Sequence, residues 1–274
     1  MTSKTLMVII LFVINFRMCC TKQYDKYTLF SVKPTTKEQL QFLQNCALQK
    51  YFDVKFWNKP HKLNNEVQMM LDTNEIELFS YRAQNLSLKP TIITDNVQKI
   101  FDRQTISKYL GFRRNDTFDW KSFYALEDIY TWLKDLSTKY EKQVVLESIG
   151  KSNEGRDIYS LAVRKVQGDK EIVIVEGGAH GNEWISVAFV TYLIHQLLES
   201  DNHEDVKLKR IAGRYHWYLI PVLNPDGYEY NQKTDRMWRK NRRQIRGKYV
   251  GVDLNRNFEY RFGKFDTSTD ANDY

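Results

Sequence analysis

Two side chains able to share a metal ion sit three residues apart in the segment 176–184 (EGGAHGNEW): the imidazole of His180 and the carboxylate of Glu183. At the start of a helix that spacing puts both on one face, within reach of a single ion. Zinc accepts both ligand types in a tetrahedral site. Gly177 and Gly178, just before them, let the backbone pass close to a ligand. A lone His-x-x-Glu pair is common, so its neighbours matter. Downstream, Asn255 and Arg256 are adjacent, and arginine's planar fork suits recognition of a carboxylate by two parallel hydrogen bonds. Between the two sites, Arg236, Arg239, Lys240, Arg242, Arg243, Arg246 and Lys248 put seven cations, with no acid among them, into thirteen residues. Taken alone, that run points to nucleic acid or a nuclear signal.

The elements that must carry these residues can be read from periodicity. From Trp120 onward, Leu126, Ile129, Tyr130, Leu133 and Leu136 form the inner stripe of an amphipathic helix. β-prone segments follow at 144–149, 158–166 and 172–175. The last, IVIV, lacks alternation, as expected of a strand covered on both faces. A nearly all-apolar helix at 184–198 and a second buried strand at 217–222 complete a strand–helix–strand order. That order predicts an α/β domain with a mixed, largely parallel sheet and flanking helices. His180 and Glu183 fall just beyond the carboxyl end of a strand, where open α/β sheets bind ligands. Asn224-Pro225-Asp226-Gly227 ends the second strand with strong turn chemistry and is read as structural.

Residues 22–110 form a separate, smaller α+β unit. Strands are expected at 27–32, 54–57, 67–71 and 91–93, and helices at 37–48 and 75–83. No His, Cys or acid cluster in it has ligand spacing, so no chemistry is expected there. The polar joint that follows contains Arg113-Arg114 and has the composition of an exposed site for a trypsin-like protease. At the other end, Lys4 precedes an unbroken apolar run, Leu6–Phe16. This pattern predicts a secretory signal peptide over residues 1–20; the run falls short of the ~20 apolar residues a membrane-spanning helix needs. Cys19 and Cys20 lie at the expected cleavage point, leaving Cys46 and no disulfide framework. Apolar residues at 42% and charged residues at 27% are those of a folded globular chain rather than a disordered one.

Taken in order, EGGAHGNEWIS, NPDGYEY, RMWRKNR and GVDLNRNF resemble the successive motifs of the A/B-type zinc metallocarboxypeptidases. The likeness extends upstream: FDWKSFYALEDIYTWLKDL resembles the start of that family's mature enzyme, and the preceding unit resembles its inhibitory activation segment. The resemblance implies a secreted precursor that removes C-terminal residues from peptides and proteins with a free C-terminus. Residues 1–20 would be the signal, 22–110 the activation domain and 115–274 the N-terminal part of the catalytic domain. It implies zinc as cofactor, with His180 and Glu183 as its first two ligands. Arg239 matches the arginine that stabilises the oxyanion, and Asn255 with Arg256 the pair that holds the terminal carboxylate. The basic run, interleaved with Trp238 and Asn241, then reads as a loop lining an anion-binding cleft, and neither nucleic acid nor, once the signal is removed, a membrane is an expected partner. The remaining histidines, His61, His195, His203 and His216, are read as surface or packing residues.

Three departures from the family pattern stand out. Asn182 replaces a substrate-binding arginine, and Tyr249 stands where many animal members carry a disulfide cysteine. In the family the third zinc ligand, a histidine, and the general-base glutamate lie further on, whereas no histidine follows His216 here and the last glutamate is Glu259. The expectation is that this chain is inactive as given. The alternative is a non-catalytic secreted protein of the same fold that binds peptide C-termini or inhibitors.

Overall fold

The computed structural model describes residues 21–48, 51–104, 106–109, 111, 117–202, 204–244, 251–260 and 262. The expected signal peptide, the Arg113–Arg114 joint, His203, Arg246, Lys248 and Tyr249 lie outside the described residues.

The first unit is built on β1 (Tyr27–Val32), flanked by β3 (Val67–Asp72) and β4 (Thr91–Thr94), with β2 (Lys55–Phe56) outside β3. All three pairings are antiparallel. Helix α1 (Lys37–Ala47) opens with a reciprocal cap between Thr36 and Gln39, which satisfies backbone donors that a helix start leaves open. Phe42 and Leu43 of α1, Phe79 of α2 (Ile76–Asn85), and Phe30 and Val32 of β1 pack into one cluster. The strand pleat sends Leu29 and Met70 to the opposite face, where they join Tyr24 and Val97. Partly buried Ile100 and Phe101 of the short helix α3 (Gln98–Asp102) pack there too, as does Met237 from the second unit.

β5 (Ile106–Ser107), near the end of the first unit, pairs in parallel with β6 (Phe123–Tyr124), where the second unit begins. Then come α4 (Leu126–Lys139), β7 (Val144–Lys151), β8 (Asp157–Val163), β9 (Ile172–Glu176), α5 (Trp184–Glu199), α6 (Val206–Arg214), β10 (His216–Ile220) and α7 (Pro225–Lys233). The sheet order is β7–β8–β10–β9. It is mixed, as expected, but its parallel portion among the described strands is the β9–β10 pair alone; β7–β8 and β8–β10 are antiparallel.

The inner stripe of α4 is Leu126, Ile129, Trp132, Leu133 and Leu136. Trp132 takes the buried place expected of Tyr130, because the Tyr130 hydroxyl turns out to donate to the backbone oxygen of Asp157. Helix α6 was missed in the sequence: four of its nine residues, VKLKRIAGR, are basic, and its start is fixed by the Asp205 carboxylate accepting from Lys207 and Leu208 amides. The strand expected to be covered on both faces is not, and the nearly all-apolar helix after it also has an exposed side. On β9, Val173 and Val175 pack on the main cluster while Ile172 and Ile174 are 59% and 67% exposed. On α5, Val187, Val190 and Ile194 are buried, but Ile185, Phe189 and Tyr192 face out. Among the described residues, one face of this edge is uncovered.

Candidate metal and anion site

The site lies where the chain leaves β9 and β10. The two exits are stitched by backbone bonds: Leu223 N donates to Gly177 O at 2.9 Å and Asn224 N to Gly178 O at 3.0 Å. Asn224 then caps α7, its side chain accepting from Gly227 N at 2.9 Å, with Pro225 at the first helical position. The Asn-Pro-Asp-Gly segment therefore starts a helix rather than only turning the chain. Gly178 takes a φ of +64°, a conformation that L side chains rarely adopt. At Gly181 the chain crosses the backbone of Gly227 so closely that a Cβ on either residue would overlap its neighbours, and Gly181 N donates to Arg239 O at 2.8 Å. Three of the sequence motifs thus meet backbone to backbone.

This crossing sets four charged side chains against one another. His180, 5% exposed, places Nδ1 3.0 Å from Glu183 Oε1 and Nε2 3.1 Å from Asp253 Oδ1. Arg239 donates from Nη1 to Glu183 Oε1 at 2.8 Å and from Nε to Asp253 Oδ2 at 3.3 Å. Burial pulls the His180 imidazole down, but hydrogen bonds to Asp253 and Glu183 outweigh it and raise its pKa above the ordinary value. The hydrogen bond to His180 holds Glu183 below the ordinary carboxylate range, with burial opposing it and Arg239 assisting. Asp253 is pushed up by burial, yet His180 and Arg239 prevail and bring it to about 2.

Asp253 escaped the reading of the sequence. Its local role is visible there: the carboxylate accepts from Asn255 N at 2.7 Å and starts the short 3-10 turn Leu254–Arg256. Its contact with His180 spans 73 residues and has no sequence signal. A buried carboxylate behind an imidazole fixes the ring's orientation and tautomer, as second partners of metal-bound histidines do. With Nε2 held by Asp253, Nδ1 and Glu183 Oε1 are left as a pair of zinc-compatible donors. The donor set fits zinc but leaves it short: among the described residues no group of three His, Cys, Asp or Glu side chains converges on one point.

His180, Glu183 and Asn255 line one cavity of about 200 Å³, with Phe258 at its edge. Arg256 shares the turn of Asn255 and is half-buried, but does not line that cavity. Arg239 and Asn182 instead line a cavity of about 290 Å³ between the two units, opposite Trp57, Phe101 and Gln104. Of the five described cations of the basic run, Arg243 is exposed and the other four are buried or half-buried. Lys240 is 5% exposed, Arg242 stacks on Tyr230 and Trp238, and Arg236 lies 3.8 Å from the centre of the Trp184 ring. Burial lowers the Arg236 pKa to about 10. Of the other histidines, His61 is exposed, His195 packs on the Trp120 ring at 4.5 Å and the His216 ring lies 3.2 Å from Val166 O.

Fold and site together define a metallocarboxypeptidase architecture, and comparison with known proteins agrees. The family profile described as zinc carboxypeptidase matches residues 129–274, more than half of the chain, and that described as carboxypeptidase activation peptide matches residues 30–104. The chain belongs to the zinc carboxypeptidase family. It is 32% identical over 250 residues to zinc carboxypeptidase A 1 of Anopheles gambiae, covering 91% of this chain and 56% of that protein. It is 28% identical over 248 residues to carboxypeptidase B2 of Rattus norvegicus, covering 86% of this chain and 58% of that protein. The crystal structure of thrombin-activatable fibrinolysis inhibitor superposes with a TM-score of 0.74 at 26% identity, over 90% of this chain and 62% of that one. A carboxypeptidase A from Helicoverpa armigera, at 21% identity, shares the fold with a TM-score of 0.76 over 92% of this chain and 62% of that one. The chain thus spans a little over half the length of these relatives.

Proposed function

We propose that this chain carries the activation segment and the N-terminal catalytic portion of a secreted zinc-dependent carboxypeptidase. Residues 1–20 are the signal, 22–110 the segment released by a trypsin-like protease at Arg113–Arg114, and 115–274 the catalytic portion. The observation that carries the reading is the placement of His180 between Asp253 and Glu183, with Arg239 bridging both carboxylates.

His180 Nδ1 and Glu183 Oε1 would hold the metal, with the ring kept in place by Asp253. Zinc, when bound there, polarises a scissile carbonyl and lowers the pKa of a bound water. Arg239 is within reach of both acids, so its guanidinium is at hand to meet negative charge developing on a carbonyl oxygen. Asn255 and Arg256 on the adjoining turn supply the donors for a terminal carboxylate, which makes the activity that of an exopeptidase. Phe101 and Gln104 of the first unit share a cavity with Arg239, which supports an inhibitory role for the uncut segment.

We further propose that the chain as it stands does not hydrolyse peptides, because catalytic zinc sites normally have three protein ligands and two converge here among the described residues. The test is to express the whole secreted chain, add zinc, treat with trypsin and assay release of C-terminal residues from blocked and unblocked peptides. Zinc-dependent release above a His180→Ala control would refute the inactivity. Binding of free-C-terminus peptides without cleavage, and unchanged by zinc, would identify the non-catalytic binder instead. Trypsin cleavage within residues 30–80 that leaves the joint intact would count against the zymogen reading.

A further inference from the structure

The turn at residues 233–237 of the second unit holds the first unit at two separate places. One is the end of α3: Arg236 Nε donates to Gln104 Oε1 at 2.7 Å and its guanidinium sits 5.6 Å from the centre of the Phe101 ring. The other is the residue beside it. Asp235, 7% exposed, accepts from the Tyr24 hydroxyl at 2.5 Å and pairs with Lys22 Nζ at 3.4 Å. The strand of chain before β1 runs along the same turn: Lys22 N donates to Thr234 O at 2.7 Å and Thr21 Oγ1 to Lys233 O at 3.3 Å.

Tyr24 is fully buried and tied into the first unit as well. Its backbone N donates to Gln98 Oε1 at 2.9 Å, and its ring meets Phe101 edge-on at 5.4 Å. Met237 packs into the small cluster formed by Tyr24, Leu29, Met70 and Val97. The ring therefore sits in the first unit's core while its hydroxyl spends its hydrogen bond on a carboxylate of the second. Hydrogen bonds to an ionised group away from water are among the stronger ones. None of these contacts passes through the joint.

We propose that residues 21–24 act as a clasp on Asp235, keeping the first unit seated on the second after the joint between them is cut. The seat at residues 233–237 is then an interaction surface whose partner is this chain's own severed N-terminal unit. Cutting the joint leaves a non-covalent complex, and separation of the halves is governed by the Tyr24–Asp235 contact. The inference builds on the activation-segment reading, but the clasp does not require the joint to be a natural cleavage site.

The experiment replaces residues 112–116 of the secreted chain with the recognition sequence of a highly specific endoprotease. The two halves are followed by native mass spectrometry and by gel filtration at falling concentration after the cut. The cut wild-type halves are expected to co-elute. Tyr24→Phe removes the hydrogen bond and Asp235→Asn removes the charge that strengthens it and pairs with Lys22, and each should weaken the complex by about tenfold or more. Lys22→Ala, with its side chain 41% exposed, should weaken it by about twofold. Should Tyr24→Phe fail to fold, hydrogen exchange on the wild-type chain decides: amides of residues 22–24 and 234–237 should stay protected after the cut. Separation of the wild-type halves at micromolar concentration, a change within twofold for both Tyr24→Phe and Asp235→Asn, or loss of that protection on cutting overturns the clasp. Failure of trypsin to cut the natural joint would count against the zymogen reading alone.

Discussion

Replacing Asp226 should cost this protein much of its stability although the residue lies outside the metal site. Asp226 is 1% exposed, and its carboxylate gathers the loop between β7 and β8 onto the first turn of α7. It accepts from Ser152 Oγ at 2.7 Å, from Glu154 N at 2.9 Å and from Arg156 Nη1 at 2.6 Å. Asp226→Ala leaves the Ser152 hydroxyl and the Glu154 amide without their acceptor and removes one of the two acids around Arg156. Breaking a buried pair by deleting one partner costs about 3–5 kcal/mol. Here Arg156 is 30% exposed and keeps Glu154, so solvent recovers part of that and the loss should be about 2–4 kcal/mol. Asp226→Asn keeps the shape and one acceptor oxygen, and should lose about half as much. Urea unfolding followed by tryptophan fluorescence measures both. A double-mutant cycle with Arg156→Ala should give a coupling of about 1–3 kcal/mol. A loss below about 1 kcal/mol for Asp226→Ala, or no coupling, would refute Asp226 as the anchor of this junction.

Three further outcomes are expected. Trp132→Ala removes a ring 2% exposed and stacked at 4.6 Å on Phe118, and should destabilise the second unit by about 3–5 kcal/mol in the same titration. Gly181→Ala forces apart a backbone crossing that has no room for a methyl group; it should cost at least about 1–3 kcal/mol and weaken zinc uptake measured with a colorimetric chelator, and an unchanged chain with unchanged uptake would contradict it. Cys46, fully buried, has its thiol pushed up to about 12 by burial. It should resist alkylation at pH 8 until urea unfolds the chain. Because its folded pKa lies above its ordinary value of 9.0, the neutral thiol's contribution is intact below about pH 9 and fades as pH climbs toward 12.

Periodicity carried the strands and the long helices. β1 lies at the expected 27–32, and α4 and α5 start at the first residue of their apolar stripes and end within three residues of the last. Local chemistry was legible at Asn224, whose cap contact is three residues away, but not its consequence, since the same four letters serve a turn or a helix start. Long-range partners were illegible. Asp253 reaches His180 across 73 residues, Tyr24 reaches Asp235 across 211, and Arg236 reaches Gln104 across 132. Each is an ordinary polar residue in an ordinary local context, and only the fold gives it a partner. The burial of β9 was misjudged for a related reason. An apolar sequence records what a strand can be covered by, whereas exposure depends on what the described elements place over it.

The crossing of Gly181 and Gly227 bears on how this family persists through time. Neither residue carries a functional group, yet neither can change without moving the backbone that supports His180 and Arg239. In a library of all single substitutions, both positions should be as intolerant as the charged residues around them when folding alone is selected. A lineage that lost its peptidase chemistry would therefore keep these glycines, and with them much of the spelling of EGGAHGNEW and NPDG, for as long as it kept its shape.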